Sequence, residues 1–413
     1  MASKDIVRKR TAVVLAAVVV ATGSAFLGGD DPRATEPEVT AAPVVAVFTP
    51  EPVEAIALEA APVEAVPVAS APEAEKVAAL VRIDEEERAR LAAEMSRWQT
   101  RNPRQLVEVI ADLAEKQPLP LPPTFLLSIA WSETRGKILA ISPAGAAGMA
   151  QATPSAYLSE GLDGKIFVTT DYLTGTRAFI MKKPLGDALT ISAPLLRQNT
   201  PATRARARKL VADALELRQE GMDELEALRP VANETFFRRI AEGDAYNLAT
   251  LQELEQLIER GAPRAEMKRF HTRVQRDYTY LRNLQRTGWT RYAGTLTARR
   301  DTLLRQHFGQ SAAVVIKNRP YEAGEYLGKT LDARFSPSQM AEFLAAHLTT
   351  KQAQARELGV ADENLAAWTA ALYNGGAVNV KRMQAGLIGA LRETEKYMKA
   401  VPARTARLER VLG

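Results

Sequence analysis

The stretch TFLLSIAWSETRG, Thr124 to Gly136, restricts the fold of this chain more than any other segment. It is apolar nearly all round. A helix of that kind has no face to offer water, so it belongs at the centre of a core. The proline run PLPLPP ends the helix before it. Pro123 suits a first helical turn, where its missing N–H would have no partner anyway. Gly136 is the expected stop. Leu126, Ile129, Ala130 and Glu133 recur at helical spacing, which puts Glu133 on the apolar stripe. A carboxyl among apolar groups has its charged form disfavoured, and its pKa rises. It can then hand over a proton near neutral pH, as a glycosidase general acid must. The plainer reading is a helix-end Glu that reaches solvent or pairs with Arg135 or Lys137.

The segments around this helix are also helical, so the fold class is mainly α. VRIDEEERARLAAEMSRWQT reads as a charged amphipathic helix. PRQLVEVIADLAEKQ reads as another, with Leu106, Ile110 and Leu113 on one stripe. Ala, Leu, Arg and Glu, which lead the helix propensities, are abundant. The chain has no cysteine, which excludes disulfides, thiolate metal sites and a lipidated N-terminal Cys. His271, His307 and His347 lie far apart with no ligand spacing, so no metal site or cofactor is expected.

The first 80 residues have a different character. Arg8, Lys9 and Arg10 precede an apolar run of about 17 residues ending near Gly28. Residues 1–28 are therefore a signal peptide or a membrane anchor. The cleavage site before Phe26 is poor, which favours the uncleaved anchor. With the basic residues kept in the cytoplasm, the rest would be exported. Residues 29–80 are Pro, Ala, Val and Glu without periodicity, with ten acids against two bases. Proline blocks helices and like charges repel, so this segment reads as a disordered, extended tether with a reach on the order of 150 Å. The formal charge of +5 thus conceals a basic body. Such a body can approach polyanions. No nucleic-acid motif is present, and no nucleic-acid partner is expected.

The residues after Glu133 carry a resemblance. Ala140, Ser142, Gly145, Ala146, Gly148, Gln151 and Pro154 follow it in order, and ALYNGGAVNV (Ala371–Val380) lies far downstream. These two stretches resemble the signatures of soluble lytic transglycosylases, the family related to goose-type lysozyme. In that family the first signature starts at the catalytic Glu and has the same residue types at the same offsets. The second is an Ala-Tyr-Asn-x-Gly…Asn-Val run, matched by Tyr373, Asn374, Gly376, Asn379 and Val380. The resemblance implies a lysozyme-like helical domain with Glu133 catalytic. Ser142, Gly145, Met149, Gln151, Tyr373 and Asn374 would be substrate-binding. Small residues such as Gly145 and Gly148 would let a helix and a sugar chain approach closely. Ser142 and Gln151 would hydrogen-bond an uncharged glycan. Tyr373 would bond the catalytic carboxyl or the substrate. There are departures: Met149–Ala150 replaces the usual Leu-Met, Thr134 the usual Ser, and Gly375-Gly376-Ala377 the usual Ala-Gly-Pro. They bear on substrate fit and rate and leave the acid in place.

Gln151 and Tyr373 are over 200 residues apart, far more than in compact members of the family. The expected division is residues 81–185 and 336–413 as the two halves of the catalytic domain, the second with a C-terminal helix. A long-helix insertion at 186–335 would lie between them. Gly221, Arg229-Pro230, Gly261-Ala262-Pro263 and Gly288 read as its turns. It could flank the glycan groove, dock a protein partner or gate the cleft, or simply be a solvated helical face. Asp171–Ile180, Ala323–Phe335 and Phe343–Leu358 all compete for the family's middle helix.

The resemblance implies cleavage of the β-1,4 bond between N-acetylmuramic acid and N-acetylglucosamine in peptidoglycan glycan strands. The product would be a 1,6-anhydro sugar, formed with one carboxylate and no water. The enzyme would lie in the bacterial envelope on the periplasmic side, held to the inner membrane by residues 1–28 or released after cleavage. A goose-type lysozyme-like hydrolase would want a second carboxylate, for which Asp163 or Asp171 could serve. A tethered, catalytically weak peptidoglycan-binding scaffold acting through the insertion is the other alternative.

Overall fold

The computed structural model describes residues 81–389 and 392–412, without the side chains of 221, 223 and 224. The expected anchor (1–28) and tether (29–80) lie outside these residues. Among the described residues the chain is mainly helical and has no strand. None of their helices is long and apolar enough to cross a membrane.

Helix α1 (Glu85–Arg97) opens on a reciprocal cap: the Glu87 N–H donates to Asp84 and the Asp84 N–H to Glu87, both at 2.9 Å. Helix α2 (Pro103–Lys116) buries the stripe of Leu106, Ile110 and Leu113. Helix α3 (Pro123–Thr134) is buried at every residue from Pro123 to Ala130, as an all-round apolar helix must be. It ends at Thr134, two residues before the expected glycine. Arg135 (φ 54°) and Gly136 (φ 75°) both adopt the left-handed conformation that closes a helix. A short helix α4 (Pro154–Ser159) follows the glycine-rich loop.

Four long helices come next: α5 (Thr170–Arg197), α6 (Pro201–Glu226), α7 (Glu234–Glu259) and α8 (Arg264–Phe308). Helix α8 runs back along α5. Tyr278 meets Gly186, His271 pairs with Ser192 at 2.8 Å, and the Ala262 carbonyl accepts from Asn199 at 3.1 Å. Two turns expected from glycine are absent. Gly221 lies inside α6, and α8 passes through Gly288 as one helix of 45 residues, about 68 Å long. Gly288 serves a helix crossing. A Cβ there would stand 2.6 Å from the Asp171 carbonyl and 2.9 Å from the Gly175 nitrogen. Residue 186, the expected start of the insertion, falls within α5.

The remaining helices are α9 (Ala312–Asn318), α10 (Pro320–Thr330), α11 (Pro337–Glu357), α12 (Leu365–Gly375), α13 (Ala377–Ala385) and α14 (Arg392–Leu412). The buried side chains form three main cores. One joins residues from Ile83–Tyr157 to residues from Ala333–Leu408. A second lies among α5, α6, α7 and the first turns of α8, with Leu387 added. The third holds Ala147 of the glycine-rich loop against Tyr172, Tyr292, Leu296 and Phe335. The three candidates for a middle helix fall in α5, in α10 with the turn after it, and in α11.

Candidate active site

Glu133 is in the last turn of α3, partly exposed, with α14 laid along the same helix. The contacts between the two helices run in order. Thr405 donates to Ser128 at 3.2 Å, Arg404 to Ser132 at 2.8 Å, and Tyr397 Oη to Glu133 Oε1 at 2.7 Å. Val401 and Leu408 are fully buried beneath. Burial pushes the Glu133 carboxyl up to about 7. The Tyr397 hydrogen bond opposes that rise, and the negative charge of Glu393 adds to it. A carboxyl in that state exists as acid and as base in comparable amounts near neutral pH.

The loop between α3 and α4 is folded on itself. Ala147 and Ala152 exchange backbone hydrogen bonds of 3.0 and 3.1 Å. Ser142 closes one end: its Oγ accepts from the Ala146 N–H at 3.0 Å. Gly145, Gly148 and Gln151 take positive φ values of 78°, 78° and 50°. The Gln151 amide nitrogen donates to the Gly148 carbonyl at 2.9 Å, which supports the left-handed turn. Its Oε1 has no partner among the described residues.

Two backbone carbonyls of this loop hold the residues around Glu133. The Met149 carbonyl accepts from Thr134 Oγ1 at 3.1 Å, and the Ala150 carbonyl accepts from Tyr373 Oη at 2.6 Å. The second signature thus meets the first through Tyr373. Asn374 accepts from Thr394 Oγ1 at 3.2 Å, which links it to α14 one turn before Tyr397. Behind Tyr373 stands the ring of His347, edge-on at 5.5 Å and paired with Glu160 at 2.5 Å. Burial lowers the His347 pKa, against the pull of Glu160.

The structure departs from several sequence expectations here. Tyr373 does not bond the carboxyl; its hydroxyl is directed to Ala150, and Tyr397 occupies the place at Glu133. Gly145 faces the ring of Tyr292 from α8, which a Cβ would overlap, so its smallness makes room for a protein side chain. Gly148 is equally tight against the Arg334 carbonyl. The Met149 side chain is 0% exposed and belongs to the core, out of a ligand's reach. Ser142 is tied to the far end of its own loop. Of the expected site residues, Asn374 and Gln151 adjoin in sequence the two partners of the Tyr373–Ala150 bond, and Glu133 reaches the same loop through its neighbour Thr134 and the Met149 carbonyl.

Sequence reasoning missed Tyr397, Tyr292 and Arg334. For Tyr397 a signal existed. Thr394, Val401, Thr405 and Leu408 form the buried stripe of α14, and Tyr397 lies at its edge by spacing. Neither Asp163 nor Asp171 is among the groups that shift the Glu133 carboxyl. The carboxylate whose charge does is Glu393. Comparison of the chain with protein-family models, with curated proteins and with solved structures finds no match in any of the three.

Proposed function

We propose that this protein is a peptidoglycan lytic transglycosylase with Glu133 as its single acid and base. In this reading the core shared by the two ends of the body is a lysozyme-like domain, and the helices of 186–335 are inserted into it. Residues 1–28 hold the protein to the inner membrane, facing the periplasmic wall. The observation that carries the reading is the placement of Glu133 at the end of an apolar helix, bonded to Tyr397 at 2.7 Å and pushed up to about 7 by burial, beside a loop that the second signature stretch joins through Tyr373.

The chemistry follows from that one group. Protonated Glu133 gives its proton to the oxygen bridging N-acetylmuramic acid and N-acetylglucosamine, and the bond to the muramoyl C1 breaks. The resulting carboxylate takes the proton from the muramoyl 6-hydroxyl as that oxygen closes onto C1. Glu133 ends as it began, one bond has been exchanged for another, and no water is consumed. Tyr397 donates to the carboxylate and steadies the charged form between the two steps. Gln151 Oε1 supplies a neutral hydrogen-bonding group to the glycan.

Glu393 favours one other reading. A second carboxylate close enough to raise the Glu133 pKa could assist water, and the enzyme would then hydrolyse. Digestion of purified peptidoglycan by the full chain and by Glu133→Gln, with mass spectrometry of the released fragments, decides between them. Anhydromuropeptides from the wild type and none from the variant are expected. Reducing-end fragments would favour hydrolysis. Wall binding without release would favour a scaffold.

A further inference from the structure

We propose that Tyr292 and Arg334 are positioning residues for Glu133, which makes the long helix α8 a working part of the site. The proposal rests on the reading of Glu133 as the reacting acid.

Arg334 is completely buried, as is Asp332. A guanidinium has five N–H donors, and the partners of Arg334 use them all. Nε reaches Asp332 Oδ1 at 2.9 Å. Nη1 reaches the Gly145 carbonyl at 2.9 Å and the Ala152 carbonyl at 3.0 Å. Nη2 reaches Tyr292 Oη and Asp332 Oδ2, both at 2.6 Å. Asp332 also accepts from the backbone of Phe167 at 3.1 Å and of Arg334 at 3.0 Å, and Tyr292 Oη donates to the Phe167 carbonyl at 2.7 Å. A buried ion pair is costly unless its remaining bonds are made; here they are made.

What Arg334 holds gives it a role beyond packing. Gly145 and Ala152 bracket the stretch whose inner carbonyls, Met149 and Ala150, receive the hydroxyls of Thr134 and Tyr373. Thr134 adjoins Glu133, and Tyr373 lies beside it. One side of the loop is therefore fixed by Arg334 and Tyr292, and the other side fixes the surroundings of the acid. Tyr292 brings α8 into this chain of contacts twice, through its hydroxyl on Arg334 and its ring against Gly145. A shift of α8 along its axis would have to move both.

Tyr292→Phe in the full chain is the direct test, because it keeps the ring and removes only the hydroxyl. Amide hydrogen exchange across residues 142–152 and turnover of peptidoglycan are measured together. Exchange at Ala147 and Ala152 should quicken while the amides of α2 and α3 stay as slow as in the wild type. The kcat should fall about tenfold with KM within about twofold, the mark of misplacement rather than lost binding. Tyr292→Phe combined with Tyr373→Phe should lose less than the product of the two single losses, since both act on one loop. Unchanged exchange and unchanged kcat would overturn the proposal. So would exchange that quickens throughout the protein with kcat tracking the folded fraction. If the wild type releases nothing from peptidoglycan, the reading of Glu133 fails separately. The local exchange pattern then decides alone whether α8 holds the loop.

Discussion

A proton on Glu133 links the site's chemistry to its stability. In the proposed reaction the carboxyl must be protonated to act first, so kcat/KM should fall as pH rises through about 7. Tyr397 donates to the charged form and holds the pKa down. Tyr397→Phe should therefore move the alkaline limb of the pH–rate profile to higher pH, which a profile of the two proteins side by side would reveal. The linkage has a definite sign. A carboxyl whose pKa is higher folded than unfolded adds stability at pH below 4.5, and that contribution is lost as pH rises through about 7. Glu133→Gln carries no such penalty. It should be on the order of 2 kcal/mol more stable than the wild type at about pH 8 and nearly equal to it at low pH, by denaturant titration. The same substitution should take release of fragments below detection, a loss at the upper end of the roughly 10²–10⁴-fold that a general acid supplies. Glu133 was legible because an acid on an otherwise apolar stripe is unusual. The partner of its oxygen was not, because nothing local in the sequence says which of two tyrosines, Tyr373 or Tyr397, will reach it.

At the scale of elements, the amphipathic and apolar helices could be read from periodicity, and their ends from proline, as at Pro103, Pro123 and Pro201. Glycine misled. Gly288 and Gly221 resembled turns, and both lie in helices, because a glycine in a helical pattern marks either a stop or a crossing and local sequence does not separate the two. Gly288→Ala distinguishes them. In an exposed helix it would stabilise by about 1 kcal/mol. Here the new Cβ would meet the backbone of Asp171 and Gly175, which cannot rotate away, so a net loss of about 1–3 kcal/mol is expected in thermal unfolding. The glycines of the loop carry the same lesson. Their pattern resembles that of a sugar-binding family, yet the close approaches it permits at Gly145 and Gly148 are to Tyr292 and Arg334.

Across the whole molecule, residues far apart in sequence meet where no periodicity could announce it. Asp332 and Arg334 are two residues apart, fully buried, and bind the glycine-rich loop, the Phe167 segment and α8 together. Arg334→Met would leave Asp332 as a buried charge without its partner and should cost about 3–5 kcal/mol. The double variant with Asp332→Leu should recover much of that loss. Both are read from denaturant midpoints.

Cleavage of peptidoglycan in water enriched with heavy oxygen tests most directly whether Glu133 cleaves a glycan without water, as proposed. Fragments released by the wild type should carry no heavy oxygen at their new muramoyl ends, and Glu133→Gln should release none. Heavy oxygen at those ends, or cleavage that survives the loss of Glu133, would contradict it.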